Sequence, residues 1–247
     1  RCAIISQSGA FLITRLSNIE FLDPTFAISV GNQVDLTVSD VLRVVARRHD
    51  IDCIGVYVEG FNDLDGLAFL DAVEEAVGDG KVVVFYKAGR TKAGRDAAQG
   101  HTASLAGDYD LCQAAVAAAG GIVTDTFKEF EQLLELATDL HHKDVDGKRI
   151  GAMSNAGYEA VGMADAVKGA RYELEMPTLT SSTRERLQQA LEKHGLQGLV
   201  DAKNPLDLTP MANDEAYEDC IRPMLEADEV DALIVGCVPM TPSLLTT

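Results

Sequence analysis

The chemistry that this sequence suggests most strongly is anion binding beside a histidine. His101 lies in the stretch GHTASLAG (100–107), which directly follows the glycine-punctuated run KAGRTKAGRDAAQ (87–99). Basic side chains bind anions through charge-assisted hydrogen bonds, and an imidazole can exchange a proton near neutral pH. We predict a loop here that holds a phosphate-bearing ligand; the alternative is a solvated loop without one. The run carries four cations and, between them, no acid: Lys87, Arg90, Lys92 and Arg95.

A second stretch with binding chemistry is SQSGAF (6–11), which follows the first apolar run of the chain. Ser6, Ser8 and Gly9 stand where a helix is expected to begin. A helix N-terminus offers free N–H groups and the positive end of a dipole, which together can hold a phosphate. The alternative is an ordinary serine N-cap, because serine is strongly preferred at that position.

Glu59 is the acid best placed to assist a histidine, since it follows the third apolar run, in VEGFND (58–63). A carboxylate that accepts a hydrogen bond from one ring nitrogen fixes the tautomer of an imidazole. The alternative is a solvated loop acid, because most carboxylates are exposed. The sequence contains none of the motifs typical of dinucleotide or P-loop binding, zinc proteases or serine hydrolases.

Short apolar runs alternate with amphipathic segments in the first part of the chain. Such runs, rich in Val and Ile, are typical of strands buried on both faces of a parallel sheet. The alternation predicts a doubly wound α/β domain with five strands, whose ligands bind beyond the carboxyl ends of the strands. The predicted strands are 2–6, 26–30, 53–58, 81–87 and 121–124, and the predicted helices are 9–22, 38–48, 64–77, 108–119 and 126–140.

The polar segment HHKDVDGK (141–148) predicts a domain boundary, after which the same pattern begins again. We expect a first α/β domain at 1–145 and a second at 148–247, the second being incomplete at its C-terminus. The second domain has predicted strands at 149–154, 171–175 and 232–238 and predicted helices at 156–169, 182–194 and 213–227.

The composition excludes several classes of protein. A formal charge of −18, from 39 acidic and 21 basic residues, argues against a nucleic-acid surface because phosphate backbones would be repelled. No apolar run approaches the roughly 18–20 residues of a membrane span. The five cysteines are widely spaced, so they predict neither a disulfide framework nor a zinc site. We therefore expect a cytoplasmic protein without nucleic-acid or membrane partners.

Together these loops resemble those of a known family, the ADP-forming acyl-CoA synthetases, which are relatives of succinyl-CoA synthetase. The resemblance extends over nearly the whole chain and implies two flavodoxin-like CoA-ligase domains in tandem. Its most specific part is the glycine and histidine block at 87–107. The matching segments are ISQSGAF (5–11), GNQVDLTVSDVL (31–42), YVEG (57–60), KAGRTKAGRDAAQGHTASLAG (87–107), SNAGYEAVGMADA (154–166) and NPLDLTP (204–210).

The resemblance implies a role for each loop. His101 matches the family's phosphorylated histidine, and Glu59 matches the glutamate that orients it. NPLDLTP would precede a phosphate-facing helix of the second domain that starts near Met211. The phosphate-binding residues implied in the two domains are Ser6, Ser8, Gly9, Gly100 and Thr209.

The sequence departs from the family pattern at two places. Ala103 stands where the family often has glycine after the His-Thr pair. Tyr158 and Glu159 follow the SNAG segment, where the family often continues with a further glycine.

The function implied is that of the central portion of an acid–thiol ligase, which catalyses acyl-CoA + ADP + phosphate ⇌ acid + CoA + ATP. His101 would relay the phosphoryl group between an acyl phosphate and ADP. CoA, and ATP or ADP with Mg²⁺, would be bound by CoA-binding and ATP-grasp domains or subunits that this chain lacks. The acyl substrate is a small molecule that the sequence does not specify. Apolar surface left exposed without those domains would favour a homo-oligomer.

Two other functions are consistent with a pair of such domains. A similar pair of domains forms a non-catalytic, ligand-sensing region fused to protein acetyltransferases, but the presence of both Glu59 and His101 favours the catalytic version. A flavin-binding flavodoxin-like domain is disfavoured because no aromatic pair brackets a site for the flavin ring.

Overall fold

The computed structural model describes residues 1–19, 22–101, 108–143, 146–170, 172–241 and 243–244, and of residues 98–101 it describes the backbone alone. The chain divides into two compact units, 1–143 and 144–247, which we call unit 1 and unit 2. Each unit has a parallel sheet and a hydrophobic core of its own.

The described strands of unit 1 are β1 (Cys2–Ser6), β2 (Phe26–Ser29), β3 (Cys53–Val58), β4 (Val82–Lys87) and β5 (Ile122–Thr124). They form a parallel sheet in the order β2-β1-β3-β4-β5. Every residue of β1 and β3 is buried, as the apolar sequences CAIIS and CIGVYV predict. The order is that of a flavodoxin-like fold, so the predicted fold class is confirmed.

The described helices of unit 1 are α1 (Gly9–Asn18), α2 (Val38–Ala46), α3 (Asp65–Gly78), α4 (Lys92–His101), α5 (Tyr109–Ala118) and α6 (Phe127–Leu140). Five of them correspond to predicted helices, with ends that differ by a few residues. The sixth, α4, was expected to be a loop. Its sequence KAGRDAAQGH is polar and contains two glycines, which disfavour a helix, so the pattern did not indicate one.

Helices cover both faces of the sheet of unit 1. Leu42 of α2, Phe69 of α3 and Val116 of α5 belong to a core on one face. Phe11 of α1 and Leu134 of α6 belong to a core on the other. A sheet covered on both faces has its strand ends as the accessible edge, which is where ligands of this fold bind.

Gly55 lets α6 approach the central strand β3 closely. A Cβ atom at this position would lie 2.8 Å from a methyl carbon of Leu134 and 2.9 Å from the ring of Phe130. Both side chains are fully buried, so neither can move without disturbing its neighbours. We expect Gly55→Ala to lower the free energy of unfolding by about 1–3 kcal/mol, measured by urea denaturation. Gly78→Ala is the control, because, apart from its chain neighbours and its own helix backbone, no atom of the described residues lies within 4 Å of the added methyl group. An equal loss in both variants would contradict the packing argument.

The described strands of unit 2 are β6 (Ile150–Ser154), β7 (Leu206–Asp207) and β8 (Ala232–Gly236), and its described helices are α7 (Gly157–Asp165), α8 (Ser181–Lys193) and α9 (Asp214–Leu225). The strands are parallel, in the order β7-β6-β8. No helix in the described residues of either unit is long and apolar enough to cross a membrane.

Two strand assignments differ from the prediction in unit 2. The predicted strand at 171–175 is wrong, since its described residues form only isolated bridges, such as that between Glu175 and Arg149. The strand β7 was not predicted. It lies within the NPLDLTP segment and is two residues long, which is too short to show an alternating pattern.

Candidate active site

Three neighbouring strands of unit 1 end at the same level. The parallel register pairs Ser6 of β1 with Tyr57 of β3, and Tyr57 with Tyr86 of β4. The β1–α1 turn, Glu59 and the connection from β4 to α4 therefore lie at one edge of the sheet. These are the three stretches in which the sequence predicted binding chemistry.

The two serines of the β1–α1 turn organise its backbone. The Ser6 hydroxyl accepts a hydrogen bond from the Ser8 N–H (3.0 Å) and donates to the Ser8 carbonyl (2.7 Å). The Ser8 hydroxyl accepts from the Phe11 N–H (3.2 Å), so Ser8 is the N-cap of α1. The first turn of α1 contains no acid, so no side chain of its own neutralises the positive end of the helix dipole. The turn that contains Gly9 therefore combines an ordinary cap with a favourable environment for an anion.

The cap of α1 gives a prediction about stability. We expect Ser8→Ala to lower the free energy of unfolding by about 0.5–2 kcal/mol, because the Phe11 N–H loses its acceptor. Urea denaturation measures the change. Ser17→Ala is the matched control in the same helix, since the exposed Ser17 hydroxyl donates to the Ile13 carbonyl (2.9 Å) one turn earlier. Equal stabilities of the Ser8 and Ser17 variants would contradict the capping role.

Glu59 is half-buried and is held by contacts to its backbone and to its side chain. The Tyr57 hydroxyl donates to Oε1 of Glu59 (3.1 Å). The Glu59 N–H donates to Oε1 of Gln7 (2.7 Å), and its carbonyl accepts from Nζ of Lys87 (3.0 Å). The carboxylate is therefore fixed at the end of β3, with acceptor capacity left for a further donor.

Tyr57 was not recognised in the sequence as part of the site. Its ring stacks on Phe11 at a centroid distance of 4.0 Å and lies parallel to the ring of Tyr86. Burial, and then the neighbouring Glu59 carboxylate, raise the pKa of its hydroxyl well above the usual value. Tyr57 therefore remains a protonated donor to Glu59 across the physiological range. Its position in a continuous apolar run made it look like an ordinary core residue.

Lys87 is buried, whereas an accessible position was expected. It was predicted to contact a ligand phosphate, but it is buried in β4. Its Nζ donates to the carbonyls of Glu59 (3.0 Å) and Ala88 (3.3 Å). Burial lowers the pKa of its ammonium group, and nearby Cys112 and Glu59 act in the opposite direction. Lys87 supports the backbone of Glu59 and is not presented at the surface.

The other three cations are more accessible. Arg90 and Lys92 are exposed, and Arg95 is half-buried, with Nη1 donating to the Arg90 carbonyl (3.3 Å). Gly89 makes the turn between β4 and α4 with a φ of +87°, a left-handed conformation that favours glycine. The chain therefore turns sharply at the end of β4 and presents these cations around the start of α4.

His101 is the last described residue of α4, so the structure places it in a helix where a loop was predicted. Gly100 belongs to the same helix. For both residues the structure describes the backbone alone. Ala103 and the rest of 102–107 lie outside the described residues.

The helix after the second implied phosphate loop, in unit 2, starts later than the resemblance implied. Thr209 follows β7 with a φ of +62°, and its N–H donates to Oδ1 of Asp207 (3.0 Å). The helix α9 begins at Asp214, capped by Asn213, close to the start at 213 that the sequence pattern predicts, whereas the resemblance implied a start near Met211. Thr209 therefore lies in a turn that is separated from the helix N-terminus.

The SNAG segment of unit 2 leads into α7, whose first turn contains Glu159. The Ser154 hydroxyl donates to the Glu159 carboxylate and accepts from the Ala156 N–H (3.1 Å). This helix therefore has an acid of its own at its N-terminus, unlike α1. An anionic ligand would be less favoured there, because the carboxylate already compensates the helix dipole.

The comparison with known families decides the identity of the chain. The family model described as the succinyl-CoA ligase like flavodoxin domain matches residues 1–137. The chain belongs to this family. Among curated relatives of this succinyl-CoA ligase-like chain, acetate–CoA ligase (ADP-forming) II subunit alpha of Pyrococcus furiosus is 33% identical over 97% of the chain and 50% of that protein. Acetate–CoA ligase (ADP-forming) of Methanocaldococcus jannaschii is 33% identical over 86% of the chain and 29% of that protein.

Solved structures with a fold similar to that of this succinyl-CoA ligase-like chain include an acetyl-coenzyme A synthetase. The apo form of the dinucleotide forming acetyl-coenzyme A synthetase 1 of Ca. Korarchaeum cryptofilum has a TM-score of 0.78 at 27% identity, covering 99% of this chain and 51% of that one. The same synthetase in complex with phosphate and ADP has a TM-score of 0.76 at 28% identity, covering 96% and 49%. The chain thus spans about half of these structures, and half or less of the two curated relatives.

Proposed function

We propose that this chain is the central portion of an ADP-forming acyl-CoA synthetase, an acid–thiol ligase in which His101 carries the phosphoryl group. The observation that supports this most directly is the convergence of three strand ends in unit 1. The uncompensated N-terminus of α1, the fixed Glu59 carboxylate and the connection that leads to His101 share one edge of the sheet. The curated relatives that match most of the chain are ADP-forming ligases.

The overall reaction would be acyl-CoA + ADP + phosphate ⇌ acid + CoA + ATP, in three steps. A phosphate oxygen attacks the thioester carbon, and the C–S bond breaks to release CoA and form an acyl phosphate. A nitrogen of His101 attacks the phosphorus, and the P–O bond breaks to release the carboxylate. A terminal oxygen of ADP then attacks the phosphohistidine, the P–N bond breaks, and ATP and free His101 result.

Glu59 would make the second step possible by orienting the imidazole. A nucleophilic ring nitrogen must be unprotonated, so the proton must reside on the other nitrogen, where a carboxylate can accept it. Tyr57 and Lys87 keep that carboxylate and its backbone in place. The Glu59 carboxylate would also stabilise the positive charge that develops on the ring as the phosphoryl group is transferred.

The N-terminus of α1 would receive the phosphoryl group. The turn formed by Ser6, Ser8 and Gly9 has no acid to repel it, and backbone N–H groups stabilise its charge without protonating it. Arg90, Lys92 and Arg95 would attract phosphate-bearing ligands towards this edge. Thr209 in unit 2 would have at most an indirect part, because it is separated from the start of α9.

The remaining parts of the proposed enzyme would lie in other domains or subunits. CoA would be bound by a CoA-binding domain and ADP or ATP by an ATP-grasp domain. The described residues contain no group of three His, Cys, Asp or Glu side chains that could hold a metal ion. Mg²⁺ would arrive with the nucleotide and neutralise its phosphates. Units 1 and 2 would correspond to the two domains at 1–145 and 148–247, in a cytoplasmic assembly.

The experiment that tests this function is an assay of the chain together with its CoA-binding and ATP-grasp partners. ATP formation should require acyl-CoA, ADP and phosphate, and omission of any one should abolish it. A series of acyl-CoA substrates in the same assay identifies the acyl group. Formation of AMP and pyrophosphate in the reverse direction, or no dependence on phosphate, would contradict the proposal.

A further inference from the structure

Gln7 joins the ends of two neighbouring strands. It directly follows β1, and only 4% of its surface is exposed. Its Oε1 accepts hydrogen bonds from the N–H groups of Glu59 (2.7 Å) and Gly60 (3.1 Å), which follow β3. An amide carbonyl has two lone pairs, so this oxygen is fully used. The backbone of Glu59 is therefore fixed by a residue 52 positions earlier in the chain.

The same arrangement occurs in unit 2, where Asn155 directly follows β6. Its Oδ1 accepts from the Val238 N–H (2.8 Å), beyond the end of the neighbouring strand β8. In both units the preceding serine accepts from the N–H two residues later, at 3.0 Å for Ser6 and 3.1 Å for Ser154. An amide side chain that joins two strand ends is thus a repeated feature of this chain.

The two amides differ in the use of their N–H groups. Nδ2 of Asn155 donates to the Val238 carbonyl (3.1 Å) and to the Thr241 hydroxyl (3.1 Å). Nε2 of Gln7 is buried and has no hydrogen-bond partner among the described residues. An unpaired buried donor is destabilising, so strand joining alone does not account for glutamine here.

A glutamate at position 7 could accept the same two hydrogen bonds without leaving an unpaired donor. It would also add a negative charge next to the backbone of Glu59 and near the N-terminus of α1. That charge would oppose a phosphoryl group and change the electrostatic environment of the Glu59 carboxylate. A neutral acceptor is therefore the side chain that fixes Glu59 without disturbing its charge.

We propose that Gln7 is a positioning residue, which fixes the backbone of Glu59 so that its carboxylate can orient His101. This inference rests on the proposed function. Gln7 acts through Glu59, from whose backbone N–H it accepts a hydrogen bond. The proposal therefore makes a specific prediction about how substitutions at the two positions combine.

The test is a double-mutant cycle on the assembled protein. We expect Gln7→Met to lower the single-turnover rate of His101 phosphorylation by about 10–100-fold, the effect typical of supporting hydrogen-bond partners. In a Glu59→Gln background the same substitution should lower the rate by less than about 3-fold, because the group it positions is already gone. Gln7→Asn is made in parallel, so that at least one folded variant is available. Its side chain is one methylene shorter, so its oxygen does not reach the two N–H groups.

Two further measurements separate this role from general damage. Amide hydrogen exchange at Glu59 and Gly60 should accelerate in the Gln7 variants, because both N–H groups lose their acceptor. Gln33→Met is the matched control: Gln33 is equally buried and donates to the Gly60 carbonyl (2.9 Å), and its described contacts do not include Glu59. This variant should phosphorylate within about 3-fold of the wild-type rate.

The outcomes are distinguishable. A wild-type rate in Gln7→Met, or an equal loss in the wild-type and Glu59→Gln backgrounds, overturns the positioning role while leaving the proposed function intact. An equal loss in Gln33→Met also overturns it, because damage near Gly60 would then explain the effect. Absence of His101 phosphorylation in the wild-type protein overturns the proposed function and this inference with it.

Discussion

His101→Ala lowers ATP formation from acyl-CoA, ADP and phosphate by about 10⁴-fold or more, if His101 carries the phosphoryl group. The expected loss is this large because the alanine variant has no nucleophile that could accept the phosphoryl group from the acyl phosphate. The first step, which releases CoA and forms the acyl phosphate, should continue. A steady-state assay of ATP, together with release of free CoA, measures both effects.

The control for this variant is His49→Ala, because His49 is exposed and precedes the amino end of β3, whereas Glu59 follows the carboxyl end of that strand. It should retain wild-type activity. ATP formation by His101→Ala within 10-fold of wild type would contradict the carrier role, since a residue that forms a covalent bond with the transferred group cannot be replaced so easily.

Glu59→Gln should lower the rate of His101 phosphorylation by about 10–100-fold, measured in a single turnover. The amide keeps the size of the side chain and can still accept from the Tyr57 hydroxyl, but it removes the negative charge that the proposed function places beside the imidazole. In the proposed site, that charge would favour the protonated form of the imidazole. The reactive form is unprotonated, so the acid limb of the pH–rate profile should move to lower pH in the variant.

Glu74→Gln is the matched control. Glu74 is exposed on α3, and its substitution removes the same charge from the molecule. Its rate and pH profile should equal those of the wild type. An acid limb that stays in place in Glu59→Gln, or moves to higher pH, would mean that Glu59 does not face the imidazole.

The framework of the site was predictable because continuous apolar runs in the sequence specify its strands. The strands β1, β3 and β4 are almost wholly apolar and rich in Val and Ile, which is the pattern of strands buried on both faces. In a parallel sheet their carboxyl ends share one edge, so Ser6 and Glu59 could be placed together without coordinates. The helix N-cap at Ser8 followed from a local preference and is also present.

The contacts that fix Glu59 were not predictable, because they join residues that are distant in sequence. Gln7 and Lys87 both contact the backbone of Glu59, from positions 52 residues before it and 28 residues after it. Lys87 was grouped with the exposed cations because it begins the same basic run, but it is the last residue of β4 and faces inward. The helix α4 was missed for a different reason: its polar, glycine-containing sequence resembles a loop.

The most direct test of the central claim is to locate the phosphoryl group on the protein. The assembled protein is incubated with acyl-CoA and phosphate without ADP, digested at alkaline pH, and its phosphopeptides are sequenced by mass spectrometry. The account predicts one acid-labile, base-stable phosphohistidine at His101, which disappears when ADP is added with Mg²⁺. A phosphate on another residue, its persistence in His101→Ala, or its absence from the wild-type protein would contradict the account.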